Sequence, residues 1–209
     1  MERKQKNFIG FKEAIVYISQ KINKNKKRYF LIGIDGGTAS GKSTFSKKIK
    51  KKYPKSAVIK VDNYCIGKTA VRALEGRKSV INWERPFTRD LARLKKDLEQ
   101  LISEGRTIIP IYSPKRDEPL KNCMVRATRV IIVEGIFALD KILRNSYDLR
   151  IFIESGSLVR RCRRIYRDSK ICGTNKLEIV SYFDHVICPM HMLNIQPNKI
   201  FSDVVIHND

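Results

Sequence analysis

The stretch Phe30-Leu31-Ile32-Gly33-Ile34-Asp35-Gly36-Gly37-Thr38-Ala39-Ser40-Gly41-Lys42-Ser43 decides the fold. Its first half is an apolar run, predicted to be a strand over 29–34. Its second half spells G-x-x-x-x-G-K-S, the phosphate-binding P-loop, and helical spacing follows it. A strand feeding a glycine-rich turn aims several backbone N–H groups and the positive end of the next helix at one point. A nucleoside triphosphate is the natural occupant. The expected ATP-binding residues are therefore Gly36, Gly37, Thr38, Ala39, Ser40, Gly41, Lys42, Ser43 and Thr44. Lys42 would reach the β- and γ-phosphates, and the Ser43 hydroxyl would hold Mg²⁺.

Working outward, Phe11, Ile15, Ile18 and Ile22 recur at helical spacing ahead of this strand. After the loop, Phe45, Ile49 and Tyr53 form a narrow stripe that Pro54 terminates. Further strands are expected over 57–61, 130–133, 149–153 and 204–207. The run 130–133 is continuously apolar, as in a central parallel strand. Thr88 is the expected N-cap of a helix carrying Leu91, Leu94, Leu98 and Leu101, with Gly105 beyond its end. Ser157 is the expected cap of a helix running through Tyr166, and another is expected over 177–187. The interval from Tyr64 to Thr88 reads as an irregular loop or insertion over the site. Strands alternating with helices predict a three-layer α/β P-loop kinase fold, with a mostly parallel central sheet and a helical lid. One domain over 1–209 is expected, with 1–28 a helix and basic lead-in, and 155–190 the lid and following helix.

Composition narrows the classes. No stretch of about 18 apolar residues is present, so no membrane span is expected, and no signal peptide follows the basic start. The five cysteines are scattered without a C-x-x-C pair, and the three histidines lack ligand spacing. That usage suits a cytoplasmic, reducing setting and argues against a zinc site. The net charge of +22 is spread along the chain, through Lys4–Lys6, 24–28, 47–52, 93–96 and 160–167. Such scatter reads as solvated helix faces rather than a nucleic-acid site. Self-association is left open.

Ligands of parallel sheets bind beyond the carboxyl ends of the strands. The P-loop, Asp62 and Glu134 all follow apolar runs, so they should converge there. Glu134 could hold Mg²⁺, and Asp62 could face the γ-phosphate and take the proton of an incoming hydroxyl. Either could instead be a plain strand-ending turn residue. Arg160, Arg161, Arg163, Arg164 and Arg167 crowd one helix, and a phosphate clamp and a salt-bridged surface helix are both open readings.

Taken together, these residues resemble the uridine kinase family of P-loop kinases, from about Leu31 to Asp209. Val61-Asp62-Asn63-Tyr64 resembles the family's D-x-F/Y segment, whose aspartate is the base and lies at the Mg²⁺ with Ser43 and Glu134. Ile131-Ile132-Val133-Glu134-Gly135-Ile136 is similar to its metal-associated strand. Arg163-Arg164-Ile165-Tyr166-Arg167-Asp168 resembles its lid helix, and Pro189-Met190-His191 and 197–206 resemble its C-terminal segments. The resemblance implies ATP and Mg²⁺ as cofactors, and transfer of a phosphoryl group to a nucleoside 5′-hydroxyl. It implies Asp62, Lys42 and Arg167 as catalytic residues, and Tyr64, Glu84, Tyr112 and Arg164 at the acceptor.

Four departures stand out. Glu84 replaces an aspartate in Trp83-Glu84-Arg85-Pro86. Ser113-Pro114-Lys115-Arg116 lacks the family's base-reading histidine and aromatic. Cys172-Gly173-Thr174 lacks two lid arginines, and Cys188 replaces a basic residue. Weak discrimination among bases is the expectation that follows. The rival expectations are a relative acting on another small hydroxyl acceptor, a weakly catalytic ATP-binding protein, and a nucleic-acid-associated ATPase.

Overall fold

A computed structural model describes residues 5–76, 80–171 and 173–209. The Lys4 end of the first basic run, residues 77–79 of the irregular interval and Cys172 lie outside the described residues. The central sheet has six strands, all paired in parallel. In chain order they are β1 (Lys6–Ile9), β2 (Phe30–Asp35), β3 (Ala57–Lys60), a strand at Val130–Glu134, one at Leu149–Glu154 and one at Val204–His207. An antiparallel hairpin, β4 (Arg106–Ser113) and β5 (Glu118–Arg126), stands apart from the sheet. The last three sheet strands are therefore β6, β7 and β8, and the spatial order is β1-β8-β7-β2-β6-β3.

Alternation along the central strands feeds two cores. Phe30, Ile32 and Ile34 of β2, with Val130 and Ile132 of β6, face one side. There they meet Ile18 and Ile22 of α1 (Phe11–Lys24) and Phe45 and Ile49 of α2 (Lys42–Lys52). Leu31, Ile131 and Val133 face the other side, against Leu94, Leu98 and Leu101. A strand buried on both faces has no polar side to show, which is why these runs read as unbroken apolar sequence. Gly33 lets Tyr147 pack flat on β2, since a Cβ there would lie 2.6 Å from its ring.

Several boundaries differ from expectation. The strand after α2 stops at Lys60, and Val61–Tyr64 form a 3₁₀ turn. The irregular interval holds a helix, α3 (Lys68–Glu75), and a second 3₁₀ turn at Pro86–Thr88. Thr88 is not the N-cap of α4 (Leu91–Glu104). Its hydroxyl donates to the Trp83 and Arg85 carbonyls inside the preceding turn, and Asp90 accepts from Arg93 N at 2.9 Å. Gly105 does close α4, in the left-handed conformation. The arginine-rich helix α5 runs Ser157–Ile171, past its expected end, and α6 covers Lys176–Tyr182. A π-helical turn at Phe183–Ile187 carries α6 onward to His191.

Candidate active site

Because all six strands are parallel, their carboxyl ends share one edge, and the loops leaving them enclose a cleft of about 730 Å³. The P-loop forms its floor. Gly41, the last loop residue, has φ 106°, and a Cβ there would lie 2.4 Å from Asn208 Nδ2. A Cβ on Gly37 would fall 2.6 Å from Arg160 Nη1 and 2.9 Å from His191 Nδ1. At Gly41 the loop thus follows a path that favours glycine.

Beneath it, Asp35 is fully buried and accepts from Gly36 N, Leu139 N and Asn198 Nδ2. Burial pushes its carboxyl up to about 6, although those hydrogen bonds and Lys42 pull the other way. His191 is also buried there, and burial together with the Arg160 charge drives its imidazole down to about 4. Its Nε2 lies 3.0 Å from Gln196 Oε1.

Lys42 Nζ donates to the Gly36 and Gly37 carbonyls, each at 2.7 Å. Burial lowers its ammonium, opposed by Glu134, Asp35, Asp62 and Glu84. The Ser43 hydroxyl donates to both Glu134 oxygens, at 3.0 and 3.2 Å. Burial raises the Glu134 carboxyl, while Lys42 and Ser43 oppose it. A hydroxyl and a carboxylate meeting beside a lysine make a donor set for a hard cation, and the glycine-lined cradle leaves room for a polyphosphate. The residues present fit Mg²⁺ shared with a nucleotide. Among the described residues no group of three or more His, Cys, Asp or Glu forms a self-contained metal site. Of the expected ATP-binding set, Thr38, Ala39, Gly41, Lys42, Ser43 and Thr44 line the cleft. Ser40 is buried below, its carbonyl accepting from Asn208 Nδ2.

Across the cleft stands Asp62, its side chain 64% exposed in the 3₁₀ turn after β3. Arg89, nearly buried, pairs with it through Nη2 at 3.0 Å and Nε at 3.3 Å. The enclosing protein works to raise the Asp62 carboxyl, but Arg89, with Lys42 and Arg167, outweighs this and holds it below the usual carboxylate range. Nothing in the sequence singled out Arg89. It reaches Asp62 because a β-bridge between Cys65 and Arg89 draws two distant segments together.

Glu84 lines the same end and is 4% exposed, with Oε2 lacking a hydrogen-bond partner. Burial raises its carboxyl against the pull of Arg164, Arg89 and Lys42. Tyr112, from the hairpin, also lines the cleft and donates its hydroxyl to Asp117 at 3.3 Å. Tyr64 does not join them. Its ring belongs to the core beside α4, and its hydroxyl donates to Asp97 at 2.8 Å. An aromatic beside a turn can serve either the cleft or the core, and here the apolar face of α4 takes it.

The two readings of the arginine helix divide its residues. Arg163, Arg164 and Arg167 line the cleft, and Arg164 Nη1 donates to Thr38 Oγ1 at 2.8 Å. Arg164 and Arg167 also pair with Asp168, and Arg161 with Asp184. Arg160 is buried beneath the P-loop, stacked over Phe183.

A parallel sheet whose β2–α2 turn is a P-loop, facing an aspartate across one cleft, defines a P-loop kinase, an enzyme class that moves a phosphoryl group from ATP. The chain belongs to the Phosphoribulokinase / Uridine kinase family, whose model matches residues 31–208. It is 34% identical over 184 residues to a uridine kinase of Clostridium tetani (strain Massachusetts / E88), covering 86% of this chain and 87% of that protein. To a uridine kinase of Clostridium novyi (strain NT) it is 36% identical over 184 residues, with the same shares covered. The phosphoribulokinase of Rhodobacter spheroides has the same fold, with a TM-score of 0.63 at 13% identity over 86% of this chain and 70% of that one.

Proposed function

We propose that the protein transfers the γ-phosphoryl of ATP to the 5′-hydroxyl of a nucleoside. The observation that carries this reading is the placement of Asp62, across a single cleft from Lys42, Ser43 and Glu134 and held ionised by Arg89. Asp62 accepts the proton of the hydroxyl as its oxygen bonds to the γ-phosphorus. The bond to the β,γ-bridging oxygen breaks and its electron pair leaves on ADP. Lys42 exchanges its two carbonyl partners for phosphate oxygens, and Arg164 and Arg167 face the charge that develops. Ser43 and Glu134 would hold Mg²⁺, which would neutralise polyphosphate charge.

At the other end, Glu84 and Tyr112 receive the acceptor. The orphaned Glu84 oxygen suits a vicinal diol, because a buried carboxylate gains most from donors that replace lost water. The names of the Clostridium relatives support a nucleoside acceptor. The segment between Tyr112 and Asp117 supports weak base discrimination, since Pro114 offers no side-chain donor or acceptor at the cleft wall. The same observation supports the second reading, a different small hydroxyl acceptor. The kinase domain is taken as the whole chain, working in the cytoplasm. Free thiols at Cys65, Cys123, Cys162 and Cys188 support a reducing setting. Among the described residues no helix is long and apolar enough to cross a membrane.

An acceptor screen with purified protein, ATP and Mg²⁺ tests this. Phosphorylation of ribonucleosides well above 2′-deoxy forms is expected. Preference for a non-nucleoside acceptor would overturn the nucleoside assignment, and no transfer to any acceptor would overturn the kinase reaction.

A further inference from the structure

The family match begins at residue 31, yet the cleft includes a residue well upstream of it, Phe11. The reason is topological. Strand β1 pairs in parallel with β8, in the register Lys6↔Val204 to Ile9↔His207. A parallel edge strand delivers its carboxyl end to the same edge as every other strand. Gly10, at φ 70° and ψ −173°, then turns the chain, with its N–H on the His207 carbonyl at 2.8 Å. Phe11 is the next residue, and it opens α1.

Its ring is half-buried and fixed from behind by Phe45 of α2, with centroids 4.9 Å apart. The Phe11 Cζ would lie 3.3 Å from a Cβ on Gly41, so the ring abuts the end of the P-loop. Asn208 stands at the same glycine, and its carbonyl accepts from Arg163 Nη1 at 2.7 Å. Phe11, Gly41, Thr44, Arg163 and Asn208 all line this part of the cleft. Asp62, Glu84 and Tyr112 belong to the acceptor side. At this end of the cleft, among Gly41, Thr44, Arg163 and Asn208, an apolar ring has no phosphate to serve.

We infer that Phe11 is the stacking platform for the base of the phosphoryl-donor nucleotide, so that the segment ahead of the family match completes the nucleotide site. This rests on the reading of the P-loop as the ATP site. A flat base that projects past Gly41 would cover the ring face, with the Arg163 guanidinium nearby to add cation–π attraction. Stacking of this kind tolerates any base, so it adds donor affinity more than donor selectivity.

Calorimetric titration of the full chain with ATP and with tripolyphosphate, each with Mg²⁺, separates the base from the phosphates. Phe11→Ala should weaken ATP about tenfold and leave tripolyphosphate unchanged, and Phe11→Tyr should retain wild-type ATP affinity. Equal ATP affinity in Phe11→Ala would overturn the inference. So would parallel losses of ATP and tripolyphosphate, which would mean that the ring only shapes the loop. Wild-type protein that binds neither ligand would instead overturn the underlying ATP reading.

Discussion

At the phosphate end of the cleft, shape is set by main chain: the loop's path, its glycines, and carbonyls that hold Lys42. At the acceptor end, shape is set by side chains from separate segments. Asp62 comes from the turn after β3, Glu84 and Arg89 from the stretch before α4, Tyr112 from the hairpin, and Arg164 from α5. Main-chain geometry leaves few residues that fit. A wall of side chains can exchange one member at a time while the fold stands. The donor half is therefore generic to P-loop enzymes, and the acceptor half is where one member of the family can differ from another.

The largest expected effect tests the generic half. Lys42→Ala should lower kcat/KM by roughly 10³-fold and weaken ATP, because the β- and γ-phosphates lose a fixed counter-charge. Steady-state kinetics with ATP titration measures both. Next, Asp62→Asn should lower kcat by roughly 10²-fold and leave the ATP Kd near wild type. Wild-type turnover in that variant would remove Asp62 from the reaction. A smaller effect belongs to Glu84→Gln, expected to raise the acceptor KM by about tenfold and to narrow the gap between ribo- and 2′-deoxynucleosides. If that gap stays intact, the diol is held elsewhere.

Arg89→Leu sharpens the comparison through pH. Arg89 holds Asp62 below the usual carboxylate range, so its loss should move the acid limb of kcat/KM to higher pH. An unmoved limb would show that another group sets it. The smallest consequence for catalysis, though not for stability, concerns the pair beneath the loop. His191 is depressed from 6.5 to about 4, so its contribution to stability is present above pH 6.5 and lost as pH falls through 4. Asp35 is raised from 3.8 to about 6, so its contribution is present below pH 3.8 and lost as pH rises through 6. Each amounts to about 3 kcal/mol, and in the wild type they nearly offset. Replacing His191 by Gln should unmask Asp35, giving a variant whose stability falls relative to wild type as pH rises from 4 to 6.5. Denaturant unfolding across that range is the measurement. Parallel curves would show that His191 titrates normally.

What could be read from the sequence follows the same division. The P-loop was legible because backbone conformations restrict its residues at fixed spacing, and Asp62 and Glu134 because apolar strands end just before them. Tyr64 lies in the core because of how α4 packs, a contact with no local signature. Arg89 was missed for a related cause, since its partner is supplied by chain crossing rather than spacing. Strand β1 has only four residues, and β5 is exposed along nearly its whole length, so neither shows an apolar period.

Strand β1 also bears on how the molecule assembles. Gln5, ahead of its first residue, donates to the Ser202 carbonyl, 197 positions away. Loop closure over such a span is slow compared with local pairing, and during synthesis the partner strand emerges long after β1. Strand β1 thus waits for the segments between it and β8 before it docks. Since that docking sets Phe11 beside Gly41, full nucleotide affinity should be the final property a nascent or refolding chain acquires, later than its helical content and later than its two cores.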